Sequence, residues 1–343
     1  MASTLVDDVA GGLQRAFADH DEQVEVTVGE RASAGATRAT LFAELTRVGS
    51  TTSTPVVVQV DLFDDTDLAE RRSTMAAESH CLRVAAAAGV SVPAVVLASD
   101  DRSYLGGSFT VCDRVDGLTI PRHILRAVAA DPGLGPRLAY QCGESLARLH
   151  GIDASELPDS VRRLVEPTPS AAYVAERAEA HRELLQPSPA MSLGLGWLQR
   201  NTPSQPDAVA LVHGDFRNGN IIVDPDVGLA AILDWEIAHV GDPMEDLAWL
   251  CTRFWRFGND DLAVGGFAEI ADLRAGYEAA GGRWRDDAFR WWLAARALWW
   301  AQGLAGQARS FLTGLTDALV LAASGRRVAE MEYDLLMLTR PQQ

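Results

Sequence analysis

Eight residues of this chain, His213 to Asn220 (HGDFRNGN), crowd an imidazole, a carboxylate, a guanidinium and two carboxamides into one short stretch. A second carboxylate, Asp234, follows at the end of an apolar run. This set suits phosphoryl transfer. A carboxylate and an amide oxygen are hard ligands for Mg²⁺, which takes few protein ligands and fills its shell with water and phosphate. A further carboxylate held off the metal can accept the proton of an attacking hydroxyl. A nearby cation can neutralise charge on the group in transit.

The elements that must position these groups are legible around them. Ile221 to Val223 and Leu229 to Leu233 flank Asp224-Pro225-Asp226-Val227-Gly228, two strand runs around a turn signal, so a β-hairpin is expected. With the turn centred near Asp226 and Val227, Asn220 and Asp234 fall at its open end, close to opposite each other. Asp215 lies in the loop feeding that end. An Asp-rich loop before a hairpin is ordinary turn chemistry; three such groups gathered at one hairpin mouth make a stronger pattern.

HGDFRNGN followed by LDWE (Leu233 to Glu236) resembles the catalytic core of aminoglycoside phosphotransferase-like kinases, relatives of the protein kinases. His213, Asp215 and Asn220 match the kinase loop His-x-Asp-x-x-x-x-Asn, and Asp234 matches the metal-binding aspartate of Asp-Phe-Gly, although Trp235 and Glu236 follow it here. Arg217 stands where protein kinases carry a phosphate-contacting lysine. GDPMEDLAW (Gly241 to Trp249) extends the resemblance. It narrows it to the branch whose kinase-like domain is fused to acyl-CoA dehydrogenases in some proteins.

The resemblance implies an α/β (α+β) protein-kinase-like bilobal fold, with a small five-stranded antiparallel-sheet lobe and a larger, mainly helical lobe. Residues 1–115 would form the nucleotide-binding lobe and 112–117 the hinge. Residues 118–343 would form the helical lobe, with the catalytic loop at 211–236 and the acceptor pocket. Asp215 would be the base or hydroxyl-orienting group, Arg217 would stabilise the transferring phosphoryl, and His213 would support the loop. Asn220 and Asp234 would hold Mg²⁺, with ATP or GTP as co-substrate and a small-molecule hydroxyl as acceptor. Between Asp234 and Asp242 there is too little chain for a protein-kinase activation segment, which disfavours a protein substrate.

Val24, Val26 and Val28 alternate as in a strand, and Leu41–Leu45, Pro55–Val60, Val95–Leu97 and Phe109–Asp113 complete a five-strand set. By resemblance the loop ERASAGATRAT, with Gly35, would cover the nucleotide phosphates, and Asp113 and Val115 in CDRVDG would meet the base. Kinases place a lysine on the third strand, and the resembling branch an arginine. Here the position is Gln59, which can hydrogen-bond phosphate but brings no charge. The chain contains no lysine at all. Glu78, on a helix expected over about 67–88, matches the glutamate that would pair with the missing cation. Arg38 in the covering loop and Arg71 and Arg72 on the helix are the substitutes, with Arg71 or Arg72 the first choice. Gln59 also motivates a rival reading, a nucleotide-binding regulatory protein that has lost catalysis.

Elsewhere Leu5, Val6, Val9, Leu13 and Phe17 predict a short amphipathic helix, and Pro121–Ala130 and Arg137–His150 predict two more. His150 is expected to pack on the catalytic loop. Asp242-Pro243 reads as an N-cap pair that by resemblance also braces that loop, with Asp246 in the same motif. Trp291/Trp292 and Trp299/Trp300, eight residues apart, place an aromatic face on one helix; most of these rings should be core.

A net charge of −17 argues against nucleic acid as partner. No apolar run approaches the ~20 residues of a membrane span. The start of the chain lacks a basic segment followed by an unbroken apolar core, so no signal peptide is expected. The four cysteines are widely spaced and read as buried thiols of a cytoplasmic protein. The acceptor has no readable code; a hydroxy acid or an acyl-CoA-like compound is preferred to an aminoglycoside, and the oligomeric state is left open.

Overall fold

The computed structural model describes residues 5, 8–31, 38–62, 74–186 and 188–340. Five strands, β1 (Val24–Arg31), β2 (Arg38–Arg47), β3 (Ser53–Asp61), β4 (Val95–Ser99) and β5 (Ser108–Asp113), form one sheet. It is antiparallel throughout, in the order β1-β2-β3-β5-β4. Successive side chains of a strand face opposite ways, and β3 uses both faces. Val56, Val58 and Val60 are buried on one side, while Val57 and Gln59 line a cleft on the other. Helix α1 (Val9–Ala18) closes the valine side, where Leu13, Ala16 and Phe17 join the sheet's apolar cluster.

Helix α2 (Met75–Ala87) starts later than expected. Thr74 is in extended backbone and its hydroxyl accepts from Ala77 N at 3.2 Å, an N-cap that ends the helix there. Residues 67–73 of the expected helix, Arg71 and Arg72 among them, lie outside the described residues, as does Gly35. The buried face of α2 (Ala77, Cys81, Leu82, Ala85) belongs to the large core of the second lobe, so this helix bridges the sheet and the helices.

The second lobe follows in order as α3 (Pro121–Ala130), α4 (Leu134–His150), β6 (Arg162–Arg163), α5 (Pro169–Arg182), α6 (Pro189–Arg200) and β7 (Ala210–Val212). The hairpin β8 (Ile221–Asp224) and β9 (Gly228–Ile232) comes next, then β10 (His239–Gly241) and α7 (Met244–Cys251). Helices α8 (Ile270–Ala279), α9 (Asp286–Leu312), α10 (Leu319–Ser324) and α11 (Val328–Thr339) complete it. One face of α4 is buried as its spacing predicts, through Leu138, Cys142, Leu146 and Leu149. On α9, Trp291 and Trp292 are core, whereas Trp299 and Trp300 are partly exposed. All four cysteines are free thiols and three are buried. Among the described residues no helix is long and apolar enough to cross a membrane. The two-lobed α+β arrangement is the expected one.

Candidate active site

The hairpin turns as its sequence requires. Asp224 Oδ1 accepts from Asp226 N at 2.8 Å and Val227 N at 3.1 Å, and Gly228 takes a φ of 108°. Ile221 pairs with Ile232, and Leu233 N donates to Asn220 O at 2.8 Å, so Asn220 and Asp234 emerge together at the open end. On its outer side β8 is pinned to the segment after β5. Leu118 N donates to Val223 O at 2.8 Å and Val223 N to Leu118 O at 2.9 Å.

Asp215 sits at that mouth with both carboxylate oxygens engaged. Oδ1 accepts from Trp249 Nε1 at 2.7 Å, Oδ2 from Asn220 Nδ2 at 2.6 Å, and Arg217 Nε lies 3.1 Å from each. The guanidinium of Arg217 lies 4.3 Å over the ring of Trp255. Asn220 spends its amide nitrogen on Asp215, bonding the carbonyl O at 3.0 Å as well. Among the described residues its hydrogen bonds are made by the amide nitrogen, and its amide oxygen can take a further partner.

The loop beneath is fixed from behind. Asp246, fully buried on α7, accepts from His213 N and Gly214 N, both at 2.8 Å. His150 Nε2 lies 3.2 Å from Asp246 Oδ2 and its Nδ1 3.0 Å from the Tyr277 hydroxyl, so His150 orients the brace. Burial pushes the Asp246 carboxyl upward, yet these donors win and hold it below the usual range. Gly214 has a φ of 81°, and a Cβ there would come 2.7 Å from Ile237 O, so only glycine fits. Arg296, buried on α9, donates to Gly214 O at 2.6 Å and to Glu245 Oε1 at 2.8 Å. The brace that resemblance added to the capping role of Asp242 is made by Asp246. Asp242 Oδ1 instead accepts from Met244 N at 2.9 Å and pairs with buried Arg285, because its side chain caps the start of α7.

His213 is wholly buried. Its Nδ1 accepts from Asp215 N at 3.1 Å, which leaves Nε2–H to donate to Leu233 O at 3.0 Å. Burial lowers its pKa, favouring this neutral form. The ring ties the loop to the end of the hairpin rather than facing the cleft.

A cleft of about 530 Å³ separates the sheet from the hairpin. Its walls include Arg38, Gln59, Glu78, Asp113 and Val115 from the first lobe and Asn220, Asp234 and Glu236 from the second. Asp215 and Arg217 lie outside the cleft's lining, and Asp215 is joined to it through Asn220. Asp234 has a left-handed φ of 67°, uncommon for a residue with a side chain. Its side chain is exposed at the cleft, and the protein packed around it with the charges of Glu236 and Asp215 pushes its carboxyl up to about 7. Crowded carboxylates beside a spare amide oxygen suit a small divalent cation. Among the described residues no cluster of three histidine, cysteine or carboxylate ligands forms. The carboxylate of Asp234 and the amide oxygen of Asn220 are hard donors of the kind that suits Mg²⁺, an ion that keeps most of its shell for water and phosphate.

Arg38 is not in a loop. It is the first residue of β2, and its Nη1 makes a 2.7 Å ion pair with Glu78 Oε2, both side chains being buried. Its Nε lies 3.8 Å from Glu236 Oε2.

The model of the Phosphotransferase enzyme family matches residues 30–298. The chain belongs to this family. The phosphotransferase is 36% identical over 213 residues to acyl-CoA dehydrogenase family member 11 of Gallus gallus. That match takes in 59% of this chain but only 25% of the relative, so the chain spans about a quarter of the longer protein. Its fold is similar to that of a candidate aminoglycoside phosphotransferase from Ralstonia eutropha, with a TM-score of 0.70 at 20% identity over 96% of this chain and 97% of that one. An amicoumacin kinase solved with AMP-PNP and Ca²⁺ superposes with a TM-score of 0.56 at 16% identity, over 90% of this chain and 88% of the other.

Sequence reasoning missed two residues that build the phosphotransferase's site. Trp249 was noted only as part of a motif, yet it lies one turn after Asp246 on α7, so both face the loop. That helical spacing was a usable signal. Arg296 carried none, since only the packing of α9 brings it to Gly214.

Proposed function

We propose that this chain transfers the γ-phosphoryl group of ATP or GTP to a hydroxyl of a small molecule. The observation that carries the reading is the Asn220–Asp215 contact of 2.6 Å at the cleft's end, with Asp234 beside it. Asp215 is held by three donors spread over both of its oxygens, so it has little freedom to rotate and presents a fixed carboxylate to an incoming hydroxyl. The acceptor oxygen forms its bond to phosphorus as the bond to the nucleoside diphosphate breaks, and Asp215 takes or directs the hydroxyl proton. Arg217, anchored on Trp255, stands next to Asp215 to offset charge on the transferring group. Asn220 and Asp234 would hold Mg²⁺, which when bound shields the phosphate oxygens. Asp113 and Val115 line the other end, where a base would lie. That a kinase of similar fold was solved with a nucleotide analogue and Ca²⁺ supports a nucleotide co-substrate here.

The regulatory alternative rested on Gln59. A buried arginine paired with Glu78 supplies the charge that Gln59 lacks, which favours a working enzyme. For the acceptor, Arg217 lies on the aromatic wall built by Trp249, Trp255 and Trp300. A cation among rings suits an acceptor combining apolar surface with negative charge. With the similarity to acyl-CoA dehydrogenase family member 11, it supports a hydroxy acid or acyl-CoA-like compound over an aminoglycoside. The test is nucleotide consumption with Mg²⁺ against a panel of hydroxy acids, their CoA thioesters, amino alcohols and aminoglycosides, with Asp234→Ala alongside. Mg²⁺ and nucleotide together should raise the parent's melting temperature, and Asp234→Ala should abolish that joint shift. A variant that responds fully would remove Asp234 from the metal.

A further inference from the structure

The register of the sheet places Arg38 opposite Asp61 and Thr40 opposite Gln59. Arg38 and Gln59 are therefore diagonal neighbours on the same face of the sheet, with backbones roughly 7–8 Å apart. Both line the cleft, and Glu78 lines it between them and the hairpin. A long side chain rising from Arg38 can cover the place that a third-strand cation would fill. Arg38 does so already, since its guanidinium holds Glu78 at 2.7 Å.

That pairing does not use up the guanidinium. Arg38 is 7% exposed, yet among the described residues its Nε and Nη2 have no hydrogen-bond partner. Buried donors of this kind are costly to leave unmet. They sit beside a cleft whose other wall carries Asn220 and Asp234. A planar fork with Nη1 on Glu78, Nε 3.8 Å from Glu236 and Nη2 buried without a hydrogen bond still has donors to turn toward a phosphate oxygen pair.

We infer that Arg38, on β2, is the residue that binds the nucleotide's α- and β-phosphates, the task having moved diagonally across the sheet from the third-strand position occupied by Gln59. The inference rests on the phosphotransferase reading above and deepens it: the ligand of this subsite is a nucleoside diphosphate moiety, and Glu78 is the positioning residue that aims the fork. Gln59 then lies beside the phosphates as a neutral donor. Adenosine, lacking phosphate, gains nothing from Arg38.

Titration calorimetry with MgADP, MgGDP and adenosine tests this on the parent, Arg38→Gln, Arg38→Lys and the exchanged pair Arg38→Gln/Gln59→Arg. Arg38→Gln should weaken binding of the preferred diphosphate at least tenfold and leave adenosine unchanged. The exchanged pair should recover affinity to within a few-fold of the parent. Arg38→Lys keeps the charge beside Glu78 and so protects the fold; it should still lose several-fold for the diphosphate alone. Diphosphate affinity equal to the parent's in both single variants would overturn the inference. So would equal losses for diphosphate and adenosine, the signature of a merely structural role, or a folded exchanged pair as weak as Arg38→Gln. A parent chain that binds neither diphosphate would instead defeat the kinase reading itself.

Discussion

The indole Nε1 of Trp249 donates a 2.7 Å hydrogen bond to Oδ1 of Asp215, joining helix α7 to the carboxylate at the mouth of the hairpin. Trp249 is itself fully buried, with the Arg296 guanidinium 4.4 Å over its ring. It can therefore hold Asp215 in one rotamer.

Trp249→Phe keeps an aromatic ring and removes that donor. A hydrogen bond to a charged group is worth about 1.5–3 kcal/mol, so turnover should fall roughly ten- to a hundredfold. Nucleotide affinity should hardly move. Steady-state kinetics with any acceptor found in the panel gives both numbers. Unchanged turnover would show that Arg217 and Asn220 hold Asp215 without help.

Asp215→Asn preserves shape but cannot accept a proton. Turnover should drop by about 10²–10⁴, the usual worth of a general base. MgADP affinity, measured by calorimetry, should stay near the parent's because Asp215 lies beyond the cleft lining. A variant with parental turnover would rule out Asp215 as an essential base.

Asp246→Ala strips His213 N and Gly214 N of their shared acceptor and leaves His150 with Tyr277 alone. Buried donors without partners are expensive, so chemical denaturation should report a loss of about 3–5 kcal/mol. Turnover should be lost along with it as the loop departs from its present path. A variant of parental stability would contradict the bracing role.

Gly117 lies between β5 and the β8 contact, with a φ of 146°. A Cβ there would meet Ile222 Cγ2 at 2.5 Å and Val223 O at 2.9 Å. Gly117→Ala should lower the melting temperature, at a cost of about 1–3 kcal/mol for overpacking and backbone strain. It should also weaken MgADP binding, since Gly117 and Ile222 both line the cleft. Parental values for both would mean that the segment can shift without cost.

What the sequence disclosed about this site follows from distance along the chain. Asp215, Asn220 and Asp234 lie within one loop and hairpin, where strand period and turn chemistry determine who meets whom. The five strands were legible for the same reason, each being an alternating or apolar run bounded by polar residues. Arg38 was harder. Its place depends on the pairing of β2 with β3, and a register read one residue differently would send its side chain to the valine face. For that reason Arg71 and Arg72, on a helix with Glu78, looked the nearer substitutes. That Asp246 and not Asp242 braces the loop has a similar cause. Both stand at the start of α7, and only the helix's placement against His213 decides which carboxylate reaches the loop. Arg296 comes to Gly214 from 82 residues away in sequence, through packing that no local pattern encodes.

The absence of lysine gives the cleft an unusual chemical character. A buried ammonium is readily deprotonated, and an exposed one can be acetylated or carbamylated. Neither reaction is open to the guanidinium of Arg38. Burial works to lower its pKa, but Glu78 and Glu236 outweigh that and raise it above an already high ordinary value. Arg38 thus keeps its positive charge from mildly acidic to strongly alkaline solution while the Asp234 carboxyl beside the same cleft gains its negative one on the way, and amine-directed reagents find no side chain there to mark.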